Sequence, residues 1–174
     1  MNQLHRSVLA LSLALATLSL ALPAAAAGPL DEAQSLWLAG KREQALKLTE
    51  AALAQDAGNP KLRFSHASML LELQRLDAAQ AQLESLVQDY PDLPDPYNNL
   101  AVVHAAHGRY EQARQALERA LLLQPDHAQA LENMGDVLTR LAQQSYERAL
   151  KLALGDASSL KLKLQRVTAL NQGR

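Results

Sequence analysis

Cysteine is absent from the 174-residue chain, and aromatic residues make up only 3% of it. The missing thiols exclude disulfides, thiolate metal sites, a thiol nucleophile and a lipid-modified cysteine anchor. One Trp, one Phe and four Tyr leave little for an aromatic-rich β-sandwich core. Charge of one sign is also scarce. The formal net charge is -1, so no basic face is expected and nucleic acid is not an expected partner. Glycine and proline number seven each and are scattered, so no phosphate-cradling glycine loop exists. What is plentiful is Ala, Leu, Gln, Glu and Arg, a helix-forming composition.

One long apolar run exists. Val8 to Leu22 carries no charge, follows His5 and Arg6, and ends at Pro23 before Ala24 to Ala27. A weakly basic start, an apolar centre and a small-residue site form the pattern of a secretory signal peptide. The expectation is a signal peptide over 1–27, cleaved after Ala26 or Ala27. The chain is then exported, to a periplasm, and has no membrane contact after cleavage. An uncleaved anchor is the competing reading, although the run is shorter than the ~20 residues a spanning helix needs.

A period of 34 residues runs through the remainder. Ala101, Gly108, Ala113, Ala120 and Pro125 recur one period earlier as Ala67, Gln74, Ala79, Leu86 and Pro91. Two periods earlier they are Ala33, Gly40, Ala45, Ala52 and Ala57. One period later stand Gly135, Ala142, Glu147, Leu154 and Ser159, where the pattern decays. Each period predicts two helices. In the third, Pro94 and Pro96 open the first helix, and Tyr97, Leu100, Ala101 and His104 share a face. Gly108 permits the turn, and the second helix runs from Tyr110 to Leu123. Small Ala101 marks a close helix crossing. A pair this short cannot bury both faces alone, so successive pairs stack.

Tyr97, Leu100, Ala101, Gly108, Tyr110, Ala113, Leu117, Ala120 and Pro125 together resemble the tetratricopeptide repeat (TPR) consensus. His104 departs from it where the family prefers Tyr, and Gln74 replaces the glycine of the second unit. The resemblance implies an all-α, right-handed solenoid of about three to four helix pairs, with a long C-terminal helix and a final capping helix. Units fall near 29–59, 60–93 and 94–127, with a partial fourth at 128–155, and the solenoid as a whole covers 28–155.

In that fourth unit no Gly or Pro interrupts Asp136 to Leu154. One helix over about 128–153 is therefore expected, with Leu131, Met134, Leu138, Leu141, Ser145, Ala149 and Leu152 on one face and Gly155 closing it. Tyr146-Glu147-Arg148-Ala149-Leu150 reads as the end of a repeat's second helix, displaced by five residues. A last helix, Ser159 to Asn171, capped by Asp156, Ser158 or Ser159, is to bury Leu160, Leu164, Val167 and Leu170. This segment, 156–174, caps the solenoid.

No residue set supports catalysis or a cofactor. Asp31-Glu32 sits where a helix dipole favours acids. His104 and His107 stand three apart, but no third metal ligand is near, and His66 and His127 read as packing and helix-start residues. The serines lack a nucleophile-elbow context. What remains is a surface. The family's groove positions fall on Phe64, Ser68, Leu71 and Glu72, then on Asp95, Asn98, Asn99, Val102 and Ala106. The last set is Gln129, Glu132, Asn133, Asp136 and Arg140. Asn pairs can hold a peptide backbone, or can simply start a helix. Of a carboxylate-clamping set only Asn99 matches, so such clamping is not expected. Trp37 reads as packing at the N-terminal cap, or as an exposed anchor. The implied function is a non-enzymatic scaffold of the cell envelope that binds a protein or peptide in its groove. The rival is a structural subunit that self-associates or docks through its C-terminal helices.

Overall fold

The computed structural model describes residues 28–173. The signal-peptide expectation over 1–27 lies outside them. Eight helices follow in order, and no strand occurs among the described residues. They are α1 (Pro29–Leu38), α2 (Arg42–Gln55), α3 (Pro60–Glu72), α4 (Leu76–Asp89), α5 (Pro94–Ala106), α6 (Tyr110–Leu123), α7 (Ala128–Leu152) and α8 (Ser158–Gln172). Neighbours in sequence are neighbours in space, and α3 also meets α5 as α5 meets α7. This is the all-α solenoid of helix pairs.

Local chemistry sets the helix limits. Proline occupies the first turn of α1, α3 and α5, where its missing N–H is no loss. Asn59 caps α3 by accepting from the N–H groups of Lys61 and Leu62, and His127 caps α7 by accepting from Ala130. Each of the first three pairs turns through the same double closure. Lys41 N–H donates to Leu36 O, Arg75 to Leu70 and Arg109 to His104, each at 2.9 Å. One residue earlier, Gly40, Gln74 and Gly108 donate to Trp37, Leu71 and Ala105. This is the Schellman closure, which needs a left-handed residue. Gly40 and Gly108 supply it at φ 75° and 73°, and Gln74 adopts φ 58°. A glutamine there costs on the order of 1 kcal/mol that glycine would not.

Burial follows the period. A first core joins α1 to α5 through Ala33, Ala45, Leu46, Ala67, Ala79, Leu83 and Val103. A second joins α5, α6 and α7 through Ala101, Ala113, Leu117, Ala120, Ala130 and Val137. Alanines at the crossings let helix axes approach closely, and leucines fill the space between.

The fourth unit differs because Ala142 stands where Gly40, Gln74 and Gly108 turn the chain. With no left-handed residue, the backbone continues and α7 reaches 25 residues. Three expectations need correction. First, α7 stops at Leu152, where Ala153 is extended, so Gly155 does not close it. Second, the buried line of α7 is Ala130 and Val137, supported by Met134 and Leu141, while Leu131, Leu138 and Leu152 are 51%, 48% and 78% exposed. Third, Asn171 rather than Leu170 is buried on α8. Its amide donates to Gln143 Oε1 and its Oδ1 accepts from Thr139 Oγ1, fixing α8 antiparallel against α7. Asp156 Oδ1 accepts from Ser158 N–H at the start of α8.

A buried polar pair ties α2 to α3. Thr49 Oγ1 donates to Leu46 O, so its one proton is committed and His66 Nδ1–H donates to it at 3.0 Å. Burial holds the His66 pKa below its ordinary value, against a small opposing effect of Glu50. Burial, and then Arg109, lowers His104 likewise. Both rings bind a proton less readily folded than unfolded. Their contribution is complete above the ordinary histidine pKa of ~6.5 and is lost as pH falls below it toward the lowered values. The urea midpoint is therefore expected to drop between pH 7.5 and 5.5, and to drop less in a His66→Gln/His104→Gln variant.

Candidate binding groove

Of the first helices of the pairs, α1, α3, α5 and α7, the last three carry the sequence-predicted groove residues. Two clefts open between them. One lies between α5 and α7 and encloses about 250 Å³, lined by Val102, Ala105, Tyr110, Asn133, Asp136 and Arg140 among others. The second lies between α1 and α3 and encloses about 260 Å³, lined by Gln34, Trp37, Leu38, Ser68, Met69 and Glu72 among others.

A ridge of amides separates the clefts. Gln129 Nε2 donates to Asn133 Oδ1, and Asn133 Nδ2 to Asn98 Oδ1. Asn98 Nδ2 then donates to Asn99 Oδ1, and Asn99 Nδ2 to Ser68 Oγ. The donors all point from α7 through α5 to α3. Asn98 is only 6% exposed, so its amide is spent on this relay.

The remaining predicted residues divide by environment. Phe64 and Leu71 are half-buried and pack against the first core. Asp95 Oδ1 meets His127 Nε2 at 3.0 Å, linking the starts of α5 and α7. Glu132 accepts from Gln129. Arg140 lines its cleft while donating to Asn171 O of α8, and Ala106 is exposed at the end of α5. The structure thus gathers Val102, Asn133, Asp136 and Arg140 in one cleft and places Ser68 and Glu72 in the other.

Trp37 is the main residue that the sequence reading did not place in the groove. Its Nε1–H donates to Glu72 Oε2 at 3.2 Å, and the Arg42 guanidinium lies 5.4 Å from its ring centre. The signal was present in the period. Ser68, Leu71 and Glu72, moved back 34 residues, become Gln34, Trp37 and Leu38, all three of which line the cleft. Tyr110 enters from α6, a helix outside the groove positions. Among the described residues no three His, Asp or Glu side chains converge as metal ligands. Nor is any described helix long and apolar enough to cross a membrane.

Paired helices stacked in sequence order, with a shared face of first helices, define an α-α repeat protein. The tetratricopeptide repeat model matches residues 36–97 and 70–135, and the chain belongs to that family. No curated protein matches it in sequence. Among solved structures it is similar to TTC0263, a thermophilic TPR protein of Thermus thermophilus, at 24% identity and TM-score 0.61, with 83% of this chain and 81% of that one covered. It is also similar to the first TPR of Spaghetti (RPAP3) bound to the HSP90 peptide SRMEEVD, at 21% identity and TM-score 0.62, covering 66% and 90%. A third is YrrB, a TPR protein with an unusual peptide-binding site, at 25% identity and TM-score 0.57, covering 60% and 54%.

Proposed function

We propose that the protein is a noncatalytic scaffold of the cell envelope, exported by its N-terminal segment, that holds an extended peptide of a partner protein in the groove. The observation that carries this is the pair of partly apolar clefts on the first helices, separated by a ridge whose amides are already bonded. A pre-formed groove of this kind reduces the ordering cost of binding. Solved TPR structures with peptides bound add weight. The export reading rests on the pattern over 1–27.

Charge gives the peptide's character. Groove positions carry Glu72, Asp95, Glu132 and Asp136 against Arg140. Excess carboxylate favours a segment carrying Lys or Arg over an acidic one. The clefts are two helix spacings apart, ~16–20 Å at the usual packing distance. An extended chain spans that in about five or six residues.

Selection from a displayed peptide library tests the reading. Enriched sequences are expected to be basic, with an apolar or long side chain repeating at that interval. Trp37→Ala combined with Val102→Asp is expected to weaken the selected peptide at least tenfold, with helicity unchanged by circular dichroism. Unaltered affinity in that variant would remove the groove from consideration.

A further inference from the structure

In α5, the face made by Tyr97, Ala101 and His104 packs against the second helix of its own unit. Ala101 is 1% exposed there. One period on, the same face of α7 is Leu131, Gly135 and Leu138, and it is open to solvent. A Cβ built on Gly135 meets nothing within 4 Å. The reason is the missing turn: the stretch that would fold back as the unit's second helix continues straight ahead as 142–152. That second half is in the complementary position. Its Tyr146 to Leu150 carry second-helix residues, and exposed Ala149 has no first helix beside it. One helix therefore holds both halves of a hairpin, each lacking the other, along one uncharged side.

We propose that a second copy of this chain supplies the missing halves: two α7 helices pack antiparallel through this side, about a two-fold axis midway between Leu138 and Ala142. The sequence complements itself in that arrangement. Leu131 faces Ala149 of the second copy, Leu138 faces Ala142, and Gly135 faces Ser145. Large meets small at both leucines, as helix packing requires. Ser145 brings no unsatisfied hydroxyl, because its Oγ donates to Leu141 O at 2.8 Å. The charged residues Glu132, Asp136, Arg140, Glu147, Arg148 and Lys151 all lie off this side, so burying it buries no charge. Exchange of a helix between identical chains is a low-cost route to a dimer, and loss of a hinge turn enforces it. The first half of α7 then has a second helix in trans, and the partner's α8 continues the stack.

Purified protein in sedimentation equilibrium is expected to show twice the chain mass. Leu131→Glu with Leu138→Glu is expected to halve it while helicity is retained. Insertion of a five-residue, glycine-containing turn after Ala142 lets the hairpin close within one chain and is also expected to give a monomer. A cysteine-free chain permits a third measurement. Positions 131 and 149 are ~27 Å apart in one helix, so oxidising Leu131→Cys/Ala149→Cys can join them only between copies. A covalent dimer from the double variant, and none from Leu131→Cys alone, supports the antiparallel pair. A monomeric wild-type mass, a turn-insertion variant that stays dimeric, or crosslinking by Leu131→Cys alone would each overturn it. None of these outcomes touches the groove residues, so the scaffold reading stands or falls separately.

Discussion

Leu83→Ala is expected to lower the stability of the protein by about 3 kcal/mol, a value typical of a fully buried leucine. Leu83 lies on α4 with none of its surface exposed, in the core shared by α1 to α5. Alanine there loses the transfer energy of the removed carbons and leaves a void the neighbours cannot close. The core around it mixes alanines (Ala45, Ala67 and Ala79), whose positions are fixed by the backbone, with larger side chains such as Leu46 and Leu70 that are already packed. For a domain of this size the loss corresponds to a fall in Tm of roughly 6–12 °C. Leu122→Ala is the matched control. Leu122 sits in α6 but is 72% exposed, so its removal is expected to change stability by less than about 0.5 kcal/mol. Thermal and urea unfolding of the two variants, side by side, measure the difference. Equal effects would mean that the helices do not stack as described.

The second large effect is expected at Asn98. Its Oδ1 accepts from Asn133 at 2.8 Å and its Nδ2 donates to Asn99 at 3.3 Å, so one side chain joins α7 to α5. Asn98→Ala removes both bonds at a part-buried site between the helices, at a cost of about 2 kcal/mol. Asn98→Asp separates the two roles. A carboxylate can still accept from Asn133, but it can give nothing to Asn99 Oδ1 and places two acceptors face to face. Its stability is therefore expected to fall as well at neutral pH and to recover as the solution is acidified and the group takes a proton. A urea titration at pH 7.5 and 4.5 relative to wild type reads this out. An Asp variant as stable as wild type at pH 7.5 would show that the relay contributes nothing.

The helix pairs were legible where signals coincided, most fully in the third unit, with small Ala101 at the crossing, Gly108 at the turn and Pro94 and Pro96 at the helix start. The limits Tyr110 and Leu123 for α6 came directly from that coincidence. The continuous α7 was legible from an absence, since no Gly or Pro stands between Asp136 and Leu154. Which side of α7 is buried was not. Leu131, Met134, Leu138 and Leu141 alternate by three and four residues, and that spacing drifts around a helix of 3.6 residues per turn. Only the presence of α6 selects Ala130 and Val137 instead. On α8, hydrophobicity favoured Leu170, yet the buried residue is Asn171, because amide bonds to Thr139 and Gln143 outweigh the apolar preference. The Asn98 relay was hidden for a related reason. Two adjacent asparagines near a helix start read equally as caps or as ligand contacts, and only the neighbouring helix decides that they bond to it. The cleft at Trp37 was recoverable from the period, since the groove positions of the second unit, moved back once more, fall on it.

One helix belongs to both cores. Leu100 and Val103 of α5 lie in the first, and Ala101 of the same helix lies in the second. The solenoid therefore cannot loosen at its centre without releasing both ends, and α5 acts as its keystone. A guest resting on α5 would brace the N-terminal and C-terminal halves at once, and its grip would be felt in both cores.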